Sequence, residues 1–407
     1  RNRIFTMYNV KKDFPIFKNQ GDPYVYLDSA ATTHKPQCVI DSIVDYYSSS
    51  YATVNRALYT ASHDITFAHW QVRSKVGSWI GAQYDQEIIF TRGTTSSLNL
   101  LAIAANDSWL AGGTVVISEA EHHANLVSWE LACQRSGATI KKVRVDDEGM
   151  VDCNHLEQLL KQGVQLVSLA HVSNVSGAVL PLPEIAHLVH RYEALFAVDG
   201  AQGVGKGPLN LSEWGVDFYA FSGHKLYAPT GIGVLYGKKE LLESLPPVEG
   251  GGDMVIVYDF EELSYQEPPL RFEAGTPHIA GVLGLGAAID YLQALPFSIT
   301  DRLTELTHFL YEQLLTVPGI QIIGPKQGAA RGSLCSISIP GVQASDLGFL
   351  LDGRGISVRS GHQCSQPAMV RWDLGHVLRA SLGIYNDQQD ILLFVEALKD
   401  ILRAYRS

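Results

Sequence analysis

Between residues 60 and 240, short apolar runs rich in β-branched residues alternate with longer stretches of helical periodicity. That alternation restricts the chain to an α/β fold built on a mostly parallel sheet. The runs are Ile88-Ile89-Phe90, Val115-Val116-Ile117, Ile140 to Val145, Leu166-Val167-Ser168-Leu169, Phe196-Ala197-Val198, Phe218-Tyr219-Ala220-Phe221 and Gly233-Val234-Leu235, which predict a large sheet of seven strands. Several lack polar alternation, as expected of strands covered on both faces. Ligands of such sheets lie beyond the carboxyl ends of the strands. There the sequence turns polar: Arg92-Gly93-Thr94-Thr95, Glu121-His122-His123-Ala124-Asn125, His171-Val172-Ser173-Asn174, Asp199-Gly200-Ala201-Gln202 and Ser222-Gly223-His224-Lys225. Five loops are therefore expected to converge on one edge.

A chain of 407 residues is longer than the ~250–300 residues at which single cores stop growing. A Gly- and Pro-rich connection beyond residue 240 leads to an apolar helix near 279–294. Helical stretches around 300–316 and 387–405 then flank candidate strands at Ile320–Ile323, Leu334–Ile339 and Ile356–Arg359. We expect a large α/β domain over 29–290, and a smaller α+β domain formed by 1–28 together with 291–407.

The net charge of -11 argues against nucleic acid as the main partner, because binding phosphates needs a basic face. Five cysteines at scattered positions form neither a disulfide framework nor a CxxC metal pattern, which fits a reducing compartment. No apolar run approaches the ~18 residues of a membrane span, so a cytoplasmic protein is expected. Met7 is a plausible natural start.

Certain residues in these loops invite chemistry. Lys225 directly follows a strand, and a lysine there is a surface charge or the partner of an aldehyde cofactor in a Schiff base. Asp199 ends another strand. It is either a helix N-cap or a carboxylate that keeps a pyridine nitrogen protonated, with Gln202 placed to meet the ring hydroxyl. Gly93-Thr94-Thr95 opens a helix, as an ordinary cap or as a seat for a phosphate. No third ligand at zinc-like spacing accompanies His122 and His123. His123 is read as a planar group stacked on a cofactor ring, and His122 as packed or capping. Cys364 lies in Val358-Arg359-Ser360-Gly361-His362-Gln363-Cys364-Ser365-Gln366-Pro367, where basic neighbours favour thiolate. Cys38, Cys133, Cys153 and Cys335 lack such company.

Taken together these stretches, with Tyr26-Leu27-Asp28-Ser29-Ala30-Ala31, Glu249-Gly250-Gly251-Gly252, Arg271 to Pro277 and Arg379-Ala380-Ser381-Leu382, cover nearly the whole chain. In them the sequence resembles the cysteine desulfurases of the Suf branch, class-V aminotransferase relatives among the fold-type-I pyridoxal-phosphate enzymes. The resemblance implies pyridoxal 5'-phosphate on Lys225, stacked by His123 and contacted by Asp199 and Gln202. Thr94, Thr95, Ser222 and His224 would hold its phosphate, with Thr276 from a second subunit of a homodimer. Asn174 would contact cofactor and substrate, and Arg379 would join it in binding the substrate carboxylate, with Arg359 nearby. Lys225 would carry the α-proton. Cys364 would take sulfur from L-cysteine as a persulfide, releasing alanine, and pass it to a small acceptor protein of the Suf system for iron–sulfur assembly. Selenocysteine lyase, with L-selenocysteine as substrate, and other lyases of the fold are the competing readings.

Three positions depart from the pattern. Asn55 and Gln363 stand where histidines are common, and Ser96 where glutamate is frequent. The second change removes a titratable neighbour of Cys364.

Overall fold

Successive side chains of a strand point to opposite faces, and here they feed two separate cores. In a computed structural model describing residues 9–406 except 22, 56 and 107, Val116, Tyr219 and Phe221 join one hydrophobic cluster. Their neighbours Val115, Ile117, Phe218 and Ala220 join the other. That is the expected outcome for strands without polar alternation. Met7 lies outside the described residues.

The first strand, β1 (Val25–Tyr26), belongs to the far end of the chain. The large sheet then comprises β2 (Ile88–Thr91), β3 (Thr114–Ser118), β4 (Thr139–Val143), β5 (Leu166–Ala170), β6 (Leu195–Asp199), β7 (Phe218–Ser222) and β8 (Gly233–Gly237), in the order β2-β8-β7-β6-β5-β3-β4. Only β8 runs antiparallel to its neighbours. All seven expected strands are present. β4 is an edge strand, and its Lys141 and Lys142 suit an exposed edge, where charge discourages pairing with another chain. Because six strands run the same way, the loops after β2, β3, β5, β6 and β7 emerge along one edge.

A short hairpin, β9 (Val255–Tyr258) with β10 (Leu263–Tyr265), leaves Ile256 and Phe260 exposed. The helix Ile279–Gln293 follows, much as read from its apolar run. Beyond it, β11 (Gln321–Ile323) and β12 (Leu334–Ser338) belong to a second, antiparallel sheet ordered β11-β12-β15-β14. The expected strand at Ile356–Arg359 is divided. Its first half is β13 (Ile356–Ser357), which pairs in parallel with β1. Beyond Val358 the chain switches partners, and β14 (Arg359–Gly361) pairs with β15 (Val377–Ser381). β15, a central strand of this sheet, has no counterpart among the expected strands.

Helices Ile299–Leu315 and Ala344–Asp352 pack on the small sheet, and both are met by the helix Gln388–Arg406. The latter buries Ile391, Phe394, Val395, Leu398, Ile401 and Leu402, the spacing of one helical face. No helix among the described residues is long and apolar enough to cross a membrane.

Candidate active site

A cavity of about 280 Å³ lies at the carboxyl edge of the large sheet, closed on its other side by the small sheet's loops. Its wall includes Lys225, Asp199 and Gln202 from the large sheet, and Arg359, Cys364 and Arg379 from the C-terminal part. Cys364 alone among the five cysteines lines it. Cys133 and Cys335 are buried elsewhere, and burial pushes both thiols up to about 11.

Lys225 sits in a turn of 3-10 helix directly after β7. Burial pushes its amine down to about 8, against the opposing pull of the Asp199 carboxylate. Asp199 itself is buried, which raises its carboxyl above the usual range although the Ala201 N–H donates to it at 3.0 Å and Lys225 lies near. Gln202 donates to the Ala30 carbonyl at 2.7 Å, fixing its amide at the wall.

The helix Thr94–Asn106 points its N-terminus at the same space. Ser222 Oγ accepts from the Thr94 N–H and bonds the Thr94 hydroxyl, both at 2.8 Å, so β7 and this helix are pinned together. Gly93, at φ 149, permits the approach, because a Cβ there would stand 3.1 Å from Ser222 Oγ. Thr95 and His224 complete this corner. Burial lowers the His224 imidazole to about 4, and its buried Nδ1 has no hydrogen-bond partner. Thr276 is not in the cavity. It is exposed on an adjoining open groove that shares Thr94, Thr95, Ser222 and His224.

Of the two adjacent histidines, the first takes the capping role expected of it. His122 caps the helix His123–Ser136, its Nδ1 accepting from the Ala124 N–H at 3.0 Å, and it is His122 that lines the cavity. Burial, with Lys225 adding to it, holds its imidazole neutral at about 4. His123 faces the reactive loop: its N–H donates to the Cys364 carbonyl at 2.7 Å, and its Nε2 accepts from the Gln366 N–H at 3.3 Å.

The Cys364 loop is bent backbone held by hydrogen bonds. Gln363 and Cys364 adopt φ values of 55° and 54°, the left-handed region that ordinary residues avoid. Asn174 Nδ2 donates to the Gln363 carbonyl at 2.7 Å, and its Oδ1 accepts from Ser365 Oγ at 3.1 Å. The side chain of Asn174 thus clamps the loop while lining the cavity. His362 Nδ1 accepts from the Cys364 N–H at 3.1 Å. Gln363 fills the space of its departure with an amide whose buried Oε1 is unpaired. Asn55, another of the three departures, takes φ 74, which asparagine tolerates, and reaches Asp253 Oδ2 at 3.4 Å.

Arg359 and Arg379 are direct cross-strand partners between β14 and β15. Like charges so placed repel. Asp28 resolves the conflict: its carboxylate pairs with Arg359 at 3.1 Å and with Arg379 at 3.4 Å. Asp28 went unrecognised in the sequence as a site residue, since its partners lie more than three hundred positions away. Arg379 also donates to the Asn174 carbonyl at 2.9 Å, while its buried Nε has no partner. Burial lowers its guanidinium to about 10.

Against known families, the profile of the class-V aminotransferases matches residues 25–394. A probable cysteine desulfurase of Chlamydia muridarum is 82% identical over 400 residues, covering 98% of this chain and all of that protein. The cysteine desulfurase of Dickeya dadantii is 42% identical, covering 97% of this chain and 96% of its own length. Among solved structures, the S-sulfonic acid form of the Escherichia coli cysteine desulfurase CsdA superposes with a TM-score of 0.89 at 35% identity, covering 98% of this chain and all of the other.

Proposed function

The chain belongs to the class-V aminotransferase family, and on that premise we propose that it is a cysteine desulfurase with pyridoxal 5'-phosphate as cofactor. One observation carries the reading: a half-buried lysine and a loop cysteine, from different sheets, line the same cavity.

The residues present fit the cofactor. The unpartnered His224 Nδ1, the hydroxyls of Thr94, Thr95 and Ser222, and a helix N-terminus suit its phosphate. Asp199 suits the ring nitrogen, Gln202 the ring hydroxyl, and His123 the ring face. Lys225 would be the amine that holds the aldehyde. When bound, pyridoxal phosphate supplies a sink for the charge that develops at the substrate's α-carbon.

The chain's own groups then divide the work. Arg379, with a free Nε, and Asn174 receive the substrate carboxylate, and Arg359 guards the entrance. The Lys225 amine, brought near neutrality by burial, takes and returns the α-proton. Cys364 accepts the substrate's sulfur: a bond forms between the two sulfurs, the carbon–sulfur bond breaks, and alanine leaves. Asn174 and His123 hold the loop so that this thiol faces the cavity.

Cys364 is also exposed, which suits transfer of the persulfide sulfur to a small acceptor protein for iron–sulfur assembly. Exposed Leu58, Phe67 and Phe260, at 91%, 65% and 89%, support a homodimer that covers them and brings Thr276 to the partner's phosphate corner. The five unpaired cysteines support a cytoplasmic setting.

The test is an assay of alanine and sulfide from cysteine for the wild type, Lys225→Ala and Cys364→Ser. Both variants should lose turnover. Undiminished turnover in Cys364→Ser would remove the persulfide role.

A further inference from the structure

A second cavity, of about 620 Å³, lies between the segment after β6, the helix Ile299–Leu315 and the loop before β12. It shares only Val172 with the wall of the Lys225 cavity. Leu209, Trp214, Leu303 and Tyr311 give it apolar walls.

Its charge is unusual for so acidic a chain. Lys206, Lys326 and Arg331 line it against one carboxylate, Glu305. Arg331 spends its donors on the neutral carbonyls of Ser176, Ile323 and Pro325 and stacks over Tyr311, so no carboxylate takes its hydrogen bonds. Among the described residues no carboxylate comes within salt-bridge reach of any of the three. Lys206 is the extreme case: its Nζ is buried and has no hydrogen-bond partner. Burying an unpaired ammonium is costly, and the amine is pushed down to about 7. The backbone is built around it. Thr300 Oγ1 donates to the Lys206 carbonyl at 2.7 Å, and a Cβ on Gly332 would collide with Nζ, so glycine leaves the amine its place.

We propose that this cavity is a second ligand site for a small monocarboxylate with an apolar body, its carboxylate pairing with Lys206 Nζ and its body lying against Trp214, Leu303 and Tyr311. An organic anion matches both features. It brings the missing counter-charge, and its body removes apolar wall from water. A polyanion does not match, because the chamber's wall is mainly apolar.

The test needs no desulfurase turnover. 3-Phenylpropionate is titrated calorimetrically into the cofactor-loaded protein, with neutral 3-phenylpropanol as control. The wild type should bind the acid saturably, one per chain, and the alcohol at least tenfold more weakly. Lys206→Met keeps the stem and removes the charge, and should weaken the acid at least tenfold. Thr304→Trp, at an exposed position on the rim, should block entry, and it decides the matter alone if Lys206→Met does not fold. Absence of saturable binding, or an affinity unchanged in these variants, would overturn the site.

Discussion

Asn174→Ala tests whether the reactive thiol is held in place by a clamp. The two left-handed residues, Gln363 and Cys364, cost about 1–2 kcal/mol each. Three hydrogen bonds hold them: Asn174 to the Gln363 carbonyl, Ser365 to Asn174, and His123 to the Cys364 carbonyl. At about 0.5–1.5 kcal/mol each these roughly offset the strain. Removing two of the three shifts the loop by about 2 kcal/mol, or about 30-fold in population of the bent form. Rapid-quench measurement of the Cys364 persulfide, alkylated and read by mass spectrometry, should show a 10- to 30-fold slower single turnover. Absorbance of the bound cofactor should be retained. A second change isolates strain from substrate binding: Gln363→Gly in the Asn174→Ala background removes about 1 kcal/mol of the left-handed penalty and should recover about fivefold. Persulfide formation within twofold of wild type in Asn174→Ala, or no recovery with Gln363→Gly, would refute the clamp.

His123→Ala should weaken cofactor binding, measured by absorbance titration of the apoprotein, by about two- to tenfold, since a stacked aromatic contributes about 0.5–1.5 kcal/mol. It should also slow persulfide formation, since His123 Nε2 accepts from the Gln366 N–H beside Cys364. Reconstitution needs a neutral Lys225 amine. Because that amine is lowered to about 8, the rate of cofactor capture should rise with pH below 8 and level off above it. An unperturbed lysine would keep accelerating toward its ordinary value near ~10.4. For stability, Glu273→Ala should lower the unfolding free energy in urea by about 3–5 kcal/mol. It strands the fully buried Arg73, which Glu273 grips at 2.7 and 2.8 Å, and leaves the Phe90 N–H without its acceptor.

The large sheet was readable because its strands are buried on both faces, which forces continuous apolar runs. β15 was not. Its centre is Arg379, a buried strand residue whose charge is absorbed by Asp28 and the Asn174 carbonyl. Such satisfaction depends on tertiary partners that no local pattern displays. The hairpin of β9 and β10 was hidden for a related reason: its apolar side chains face outward, so they do not mark a core. Lys225, Asp199 and Cys364 stood out because each follows or interrupts an apolar pattern at a strand end or loop.

The site's dependence on both chain ends follows from the arginine pair. β14 and β15 place Arg359 directly opposite Arg379, an arrangement that opposes sheet formation until a carboxylate intervenes. That carboxylate is Asp28, brought in by the pairing of β1 with β13 and by the bridge from Asp28 to Ser381. Contacts so distant in sequence carry a loop-closure cost that local contacts do not. Without them the cavity has Lys225 but neither a neutralised arginine pair nor a fixed Arg379. A chain with an incomplete C-terminal sheet would retain the phosphate corner and the lysine while lacking the means to hold a carboxylate beside Cys364.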